Sequence, residues 1–429
     1  MAIRNLFTPI LLLAVVVLLS FSVVQAQEST ELVIWAEGAL HNSIETEGSF
    51  GWTLVHGFEE AHPGITVRIE NHGWDEELRQ NLLTAFLAGT APDIVVGEAY
   101  FQQYADLGAL VPIDDIVAEV GDNLIPGTYA GAAVGDSVYG LSGFTGVFGF
   151  ERNCAVVEQA GLDCDTPPQT WDELLEQARQ ITEAGAGDYY GYTLQGPVGF
   201  SIGAVFRAYV YLIQAGASLC QNDCTEPYFN DPNAIPVYEF IRQIHGYTPP
   251  GLSFNLDEGQ VYSQLFQGVS AYQMAGSWHV NWAKDSGCED CRYSAVPIPA
   301  GGQQASVVVG NVIFAILSQS DNVEEAKEWI RYLQTDEVQN LVYPTIGRLP
   351  STRSALTALA EDPELDDANK SFINILLTSE NLAVLPQWRS NPQLVWTAWN
   401  DMFTRILTTE DPIDQILEEG QQAALAAAG

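Results

Sequence analysis

The sequence predicts an α/β protein with largely parallel strands, and three observations carry that reading. From Gln27 onward, short apolar runs alternate with stretches of helical period. Gly, Pro and Asp punctuate the junctions between them. Of the 429 residues, 47% are hydrophobic, enough for a large core in one or two globular units.

The elements follow in order. Residues 32–35 form an apolar run that reads as a strand. Trp52, Val55 and Phe58 then recur at helical spacing until His62-Pro63-Gly64 stops the helix. Ile65, Val67 and Ile69 alternate as a second strand, which completes a βαβ unit by residue 70. Asp75 is placed to cap a helix with the stripe Leu78, Leu82, Leu83 and Phe86, closed by Gly89, and strand 94–96 follows. Thr170-Trp171-Asp172-Glu173 has the spacing of a capping box, and Asn322 is placed to cap a helix carrying Ala326, Trp329, Ile330 and Leu333. Beyond the strand-like stretch 307–317, the pattern is mainly helical.

Charge and cysteines narrow the class. There are 55 acidic and 16 basic residues, a net charge of −39, and only Lys284, Lys327 and Lys370 are lysines. Nucleic acid and anionic membrane surfaces are therefore poor partners, and with no local Arg cluster in the sequence a neutral or cationic ligand is favoured. Arg4 followed by an apolar stretch over residues 10–24 and Val24-Gln25-Ala26 reads as a signal peptide, residues 1–26, cleaved after Ala26. The first cysteine is Cys154, so no lipid-anchor cysteine follows the apolar stretch and the mature protein is expected free outside the cytoplasm. Six cysteines fall as three close pairs, Cys154 with Cys164, Cys220 with Cys224, and Cys288 with Cys291, expected as disulfides in an oxidising compartment. A zinc site drawing on Cys220, Cys224, Cys288 and Cys291 is the competing use.

Nine segments occur in a recognisable order: Glu31-Leu-Val-Ile-Trp35; Phe58-Glu-Glu-Ala-His-Pro-Gly-Ile-Thr-Val67; Ala88-Gly-Thr-Ala-Pro-Asp-Ile-Val95; Gly108-Ala-Leu-Val-Pro112; Val138-Tyr-Gly-Leu141; Ala160-Gly161-Leu162 with Pro168-Gln-Thr-Trp-Asp-Glu-Leu174; Phe266-Gln-Gly268; Gly276-Ser-Trp278; and Glu324-Glu-Ala-Lys-Glu-Trp329. In this order the chain resembles the extracellular solute-binding proteins of ABC transporters, the family that includes the maltose-binding proteins. The resemblance implies a two-lobed periplasmic-binding-protein fold of type II, with a hinge and an interlobe ligand cleft. It places residues 27–144 and 309–348 in lobe one, and 145–308 and 349–429 in lobe two, with Asp93 as a structural residue ahead of its strand.

A sugar presents C–H faces and hydroxyls, so its site needs aromatic platforms and two-way hydrogen-bonding groups. The resemblance nominates Trp278, in Gly276-Ser-Trp278, and Trp396 on a lobe-two helix as stacking residues, with Trp388 close by in sequence. Trp35 ends the first strand, at the edge where open sheets bind ligands, and Glu37 is the nearest carboxylate. The maltose binders carry an Asp-Lys pair where this chain has Ala39 and Leu40, which argues against maltose itself. Glu98 and Tyr100 follow the third strand, Phe144 sits in the hinge segment, Phe200 precedes an insertion, and Arg348 lies at the last lobe crossing.

The implied function is non-enzymatic: capture of a neutral carbohydrate, an oligosaccharide or glycoside, by a monomer that hands it to an ABC importer permease without any cofactor. A polyamine or metal-ion binder on the same fold is the alternative, with Tyr100 and Tyr104 or Tyr189 and Tyr190 as candidate iron ligands. A secreted glycoside hydrolase would need two carboxylates about 5 to 9 Å apart, and no motif nominates a pair. Delivery to a receptor instead of a permease is equally compatible with the sequence.

Overall fold

The computed structural model describes residues 29–429 except 37–43, 45, 74, 98–99, 198–201, 223, 256–257, 309–311, 379–381 and 389–390. The expected signal peptide and the candidates Glu37, Glu98 and Phe200 lie outside the described residues.

Lobe one is built on a five-stranded sheet in the order Ile65–Asn71, Thr30–Ala36, Ile94–Gly97, Val312–Ile316 and Gly140–Phe144. The first three strands are parallel, as the βαβ pattern requires. Their first connecting helix, Phe50–Ala61, is capped by Ser49, whose hydroxyl accepts from Trp52 N, and it buries Leu54, Val55 and Phe58. Asp93 ties the sheet together: its carboxylate accepts from Val33 N (2.8 Å), Ser320 Oγ (2.5 Å) and Asn322 Nδ2 (3.2 Å). Asn322 does hold the N-cap position of helix Val323–Leu333, but Asp93 draws its side chain away from the helix end.

Lobe two carries a four-stranded sheet in the order Cys291–Ser294, Phe148–Asn153, Ser270–Gly276 and Tyr190–Thr193. Only the last pair is parallel, and Val312–Ile316 is antiparallel to both its neighbours in lobe one. The strands are therefore mixed and not largely parallel. The reason is topological, because Phe148–Asn153 enters its sheet straight from a lobe crossing with no helix to return the chain to the starting end. Helix Trp171–Gly185 begins with the expected capping box, in which Thr170 and Glu173 satisfy each other's backbone N–H. Helices Pro392–Thr408 and Ile413–Ala428 close the lobe, with Met402 of the first lying against Gly420 of the second.

Three crossing segments meet side by side between the lobes. Thr145 N donates to Leu349 O (2.8 Å), Leu349 N returns the bond (3.2 Å), and Val147 bridges to Val308. The cysteines join as three local pairs, Cys154–Cys164, Cys220–Cys224 and Cys288–Cys291, so the four thiols considered for zinc are spent two by two.

Two predictions follow from this packing. Asp93→Ala removes three bonds to a buried carboxylate and should cost about 3 kcal/mol in urea unfolding, and a loss under 1 kcal/mol would refute the tie. Burial raises the phenols of Tyr192 and Tyr209 to about 12, and those of Tyr211, Tyr238 and Tyr272 also rise. Above pH 10 the unfolded chain releases tyrosine protons that the fold retains, so unfolding free energy should fall steadily from pH 10 to 11.5. A flat profile over that range would contradict it.

Candidate ligand-binding site

An interlobe cavity with about 580 Å³ of empty space, including its open mouth, lies next to the hinge. From lobe one it is faced by Tyr100, Gln103, Gly131 and Ile313, and from lobe two by Phe206, Trp396 and residues 384–388. Tyr100 follows the carboxyl end of strand Ile94–Gly97, where an open α/β sheet leaves its crevice. Its φ of +70° is left-handed, a conformation that costs a bulky residue energy and recurs at ligand sites. The Arg79 guanidinium lies 5.5 Å from its ring.

Lobe two supplies the opposite wall. Phe206 comes from helix Ile202–Gln214, and Trp396 from the helix that opens with Pro392 after a left-handed Asn391. Trp388 and Trp396 meet edge to face at 4.1 Å, and Trp399 stands behind them with its indole N–H donating to Tyr238 OH (3.1 Å). Gln387 reaches across to lobe one: its amide donates to Gly131 O (2.9 Å) and accepts from Gln102 N (3.1 Å).

Of the residues nominated from sequence, the cavity brings Tyr100, Trp388 and Trp396 together. Trp278 and Arg348 form a neighbouring pair, the guanidinium 5.1 Å above the indole. The Trp278 ring also lies across Gly276, where a Cβ would overlap it, which explains why a glycine stands two residues ahead. Trp35 belongs instead to the interior of lobe one. Its N–H donates to Glu70 Oε2 (3.0 Å) and its ring stacks on His72 at 3.7 Å. Burial lowers the His72 pKa, which favours the neutral imidazole against that ring. Phe144 packs edge-on to Phe50 in the same core. Phe206, Gln103 and Gln387 were not nominated from sequence. Only the adjacency of Gln387 to Trp388 could have suggested one of them, since Phe206 lies on a helix whose apolar residues read as core.

Among the described residues, no group of three or more His, Cys, Asp or Glu side chains is arranged to hold a metal ion. Tyr104, the iron-binding partner considered for Tyr100, packs against Phe101 inside lobe one. No described helix is long and apolar enough to cross a membrane.

Two lobes, bridged crossings and a cavity between them define the fold of a two-lobed binding protein. The sequence profile of the bacterial extracellular solute-binding proteins matches residues 42–340, and the chain belongs to that family. Membership implies a periplasmic or extracellular location. Among relatives, a protein of Brucella abortus named as a binding protein is 26% identical over 352 residues, 81% of this chain and 82% of that one. The sugar-binding protein MalE of Xanthomonas citri superposes with a TM-score of 0.78 at 21% identity, covering 93% of this chain and 97% of that one. An ABC transporter solute-binding protein of Thermotoga lettingae, solved with α-D-tagatose, gives a TM-score of 0.76 at 22% identity over 94% and 100% of the two chains.

The Gln387 contact yields a prediction. Gln387→Ala deletes the acceptor for the Gln102 amide, so hydrogen exchange at Gln102 should accelerate at least tenfold while Val33 N, bonded to Asp93, stays protected. Equal protection of Gln102 in both proteins would show that the contact does not hold in solution.

Proposed function

We propose that this protein captures a neutral carbohydrate, an oligosaccharide or glycoside, in the interlobe cavity and delivers it to the permease of an ABC importer. The observation that carries the reading is the cavity wall itself. Tyr100, Phe206, Trp388 and Trp396 face one space, and no charged side chain is among its described lining residues. Aromatic faces match the C–H faces of a pyranose, while the Gln103 and Gln387 amides suit hydroxyls. A polyamine or metal ion would need carboxylates at the same place. The sugar-bound relative of the same fold supports the class of ligand without naming it.

Closure about the crossings that meet at Thr145, Val147, Val308 and Leu349 would enclose the sugar and present the closed form to the permease. The lobes are residues 27–144 with 309–348, and 145–308 with 349–429. The working form is a monomer released by cleavage after Ala26. Trp278, Glu37, Glu98, Phe200 and Arg348 remain proposed contacts of secondary rank to the cavity set.

A thermal-shift screen of the mature protein against mono- and oligosaccharides, amino acids, spermidine and ferric ion tests this. Ligands that bind only the native state raise its melting temperature. The expected result is a shift with one sugar class alone, whereas a shift with spermidine or ferric ion alone would overturn the carbohydrate reading. For the sugar found, Trp396→Ala should weaken binding at least tenfold, about 1.4 kcal/mol. Unchanged affinity in calorimetry would remove Trp396 from the site.

A further inference from the structure

Two polar atoms of residues that line the cavity lack a hydrogen-bond partner among the described residues: Gln103 Oε1 and Trp388 Nε1. Both atoms are buried, and the Trp388 side chain is only 2% exposed. Their residues line the same cavity from opposite lobes, and the two walls are joined beside them, Gln102 N donating to Gln387 Oε1 at 3.1 Å. Buried donors and acceptors are almost always paired, and an unpaired one is a cost that a structure keeps only for a reason.

We propose that this pair is the selectivity element of the cleft, an acceptor from lobe one and a donor from lobe two that together read the oxygen pattern of the ligand. The inference rests on the carbohydrate reading of the same cavity and names what that reading leaves open. An amide oxygen only accepts, so the ligand group at Gln103 must carry an O–H. An indole N–H only donates, so any oxygen with a free lone pair serves at Trp388, including a ring, glycosidic or methyl-ether oxygen. The cleft therefore tolerates O-methylation at one position and rejects it at another, and it rejects deoxygenation at both. Because the two atoms belong to different lobes, a ligand that satisfies both also holds the lobes together, which couples selectivity to closure.

The pair makes a test possible that separates ligand reading from structural support. In the ligand-free protein these atoms support nothing, so a shape-conserving change that deletes one should leave stability intact. Gln103→Met removes the acceptor, and replacing Trp388 by 3-benzothienylalanine removes the N–H while keeping the ring that packs on Phe229 and Trp396. Melting temperatures are measured without ligand, and calorimetry then follows glucose, galactose, mannose and xylose, their methyl glycosides, and gluco- and manno-oligosaccharides. Mono-deoxy and mono-O-methyl analogues of the tightest sugar complete the set.

The expected result is an unchanged or higher melting temperature for both variants and at least fivefold weaker binding of the sugar. One O-methyl analogue that is poor for the wild type should bind Gln103→Met no worse than the parent sugar does. A lower melting temperature of Gln103→Met without ligand would make its oxygen a structural group and overturn the proposal. If the wild type binds a sugar and both variants bind it equally well, the proposal falls while the carbohydrate reading stands. If the wild type binds none of the sugars, the carbohydrate reading falls and takes this inference with it.

Discussion

A carboxylate cut off from water must be surrounded by donors, and Glu151 imposes that condition on lobe two. The side chain is fully buried and accepts from Gln273 Nε2 (2.6 Å), from Tyr293 OH (2.5 Å) and from His279 Nδ1 (3.1 Å). Gln273 and Tyr293 are its direct cross-strand partners on either side, so strand register and hydrogen bonding specify each other. A slip of one residue would bury the charge against the wrong neighbours, which is a large penalty. Burial and the adjacent carboxylate both push the Tyr293 phenol up, which keeps it a donor at any ordinary pH. His279 opens the helix that directly follows Trp278, so the same network fixes where that indole can stand.

Asp93 does the equivalent work in lobe one, where donors from two separate segments meet on it. The crossings between the lobes are bonded differently. Their backbone groups are taken up by side chains of the adjoining helices: Gln334 Nε2 donates to Ser142 O (3.0 Å) and Gln339 Nε2 to Gly143 O (2.9 Å), while Ser351 N donates to Gln339 Oε1 (2.7 Å). Side-chain bonds of this kind can persist while the strands pivot, because a glutamine has torsions to spare that a sheet ladder lacks. The cavity sits beside these crossings, with Val308 common to both.

The fold was legible wherever the determining contact is local. The helix ending at His62-Pro63-Gly64, the capping box at Thr170, the alternation in Ile65–Asn71 and the structural role of Asp93 all reveal themselves within a few residues. Of the candidate site residues, Tyr100, Trp388 and Trp396 line one cavity; the family resemblance nominated the tryptophans, and position after the third strand nominated Tyr100. What sequence withholds is the direction a side chain takes when distant partners compete for it. Trp35 looks free at a strand end until Glu70 and His72, on the neighbouring strand and just beyond it, claim both its N–H and its face. Asn322 has the right type and place for a cap, yet an aspartate 229 positions away takes its amide. Phe206 could not be told from the core residues of its own helix, because only the opposite lobe makes that face a wall.

The acidity of the chain and the neutrality of its cavity are consistent once distance is considered. With 55 acids and 16 bases, most carboxylates cannot pair, and they remain on the surface because an unpaired charge is too costly to bury. At physiological salt a surface charge is felt over about 8 Å, so it acts on other charged bodies approaching the protein far more than on an uncharged sugar already inside. A neutral ligand held by aromatic faces and amides would gain its affinity from terms that salt hardly touches. The net charge of −39 is left to act on solubility and on encounters with charged surfaces.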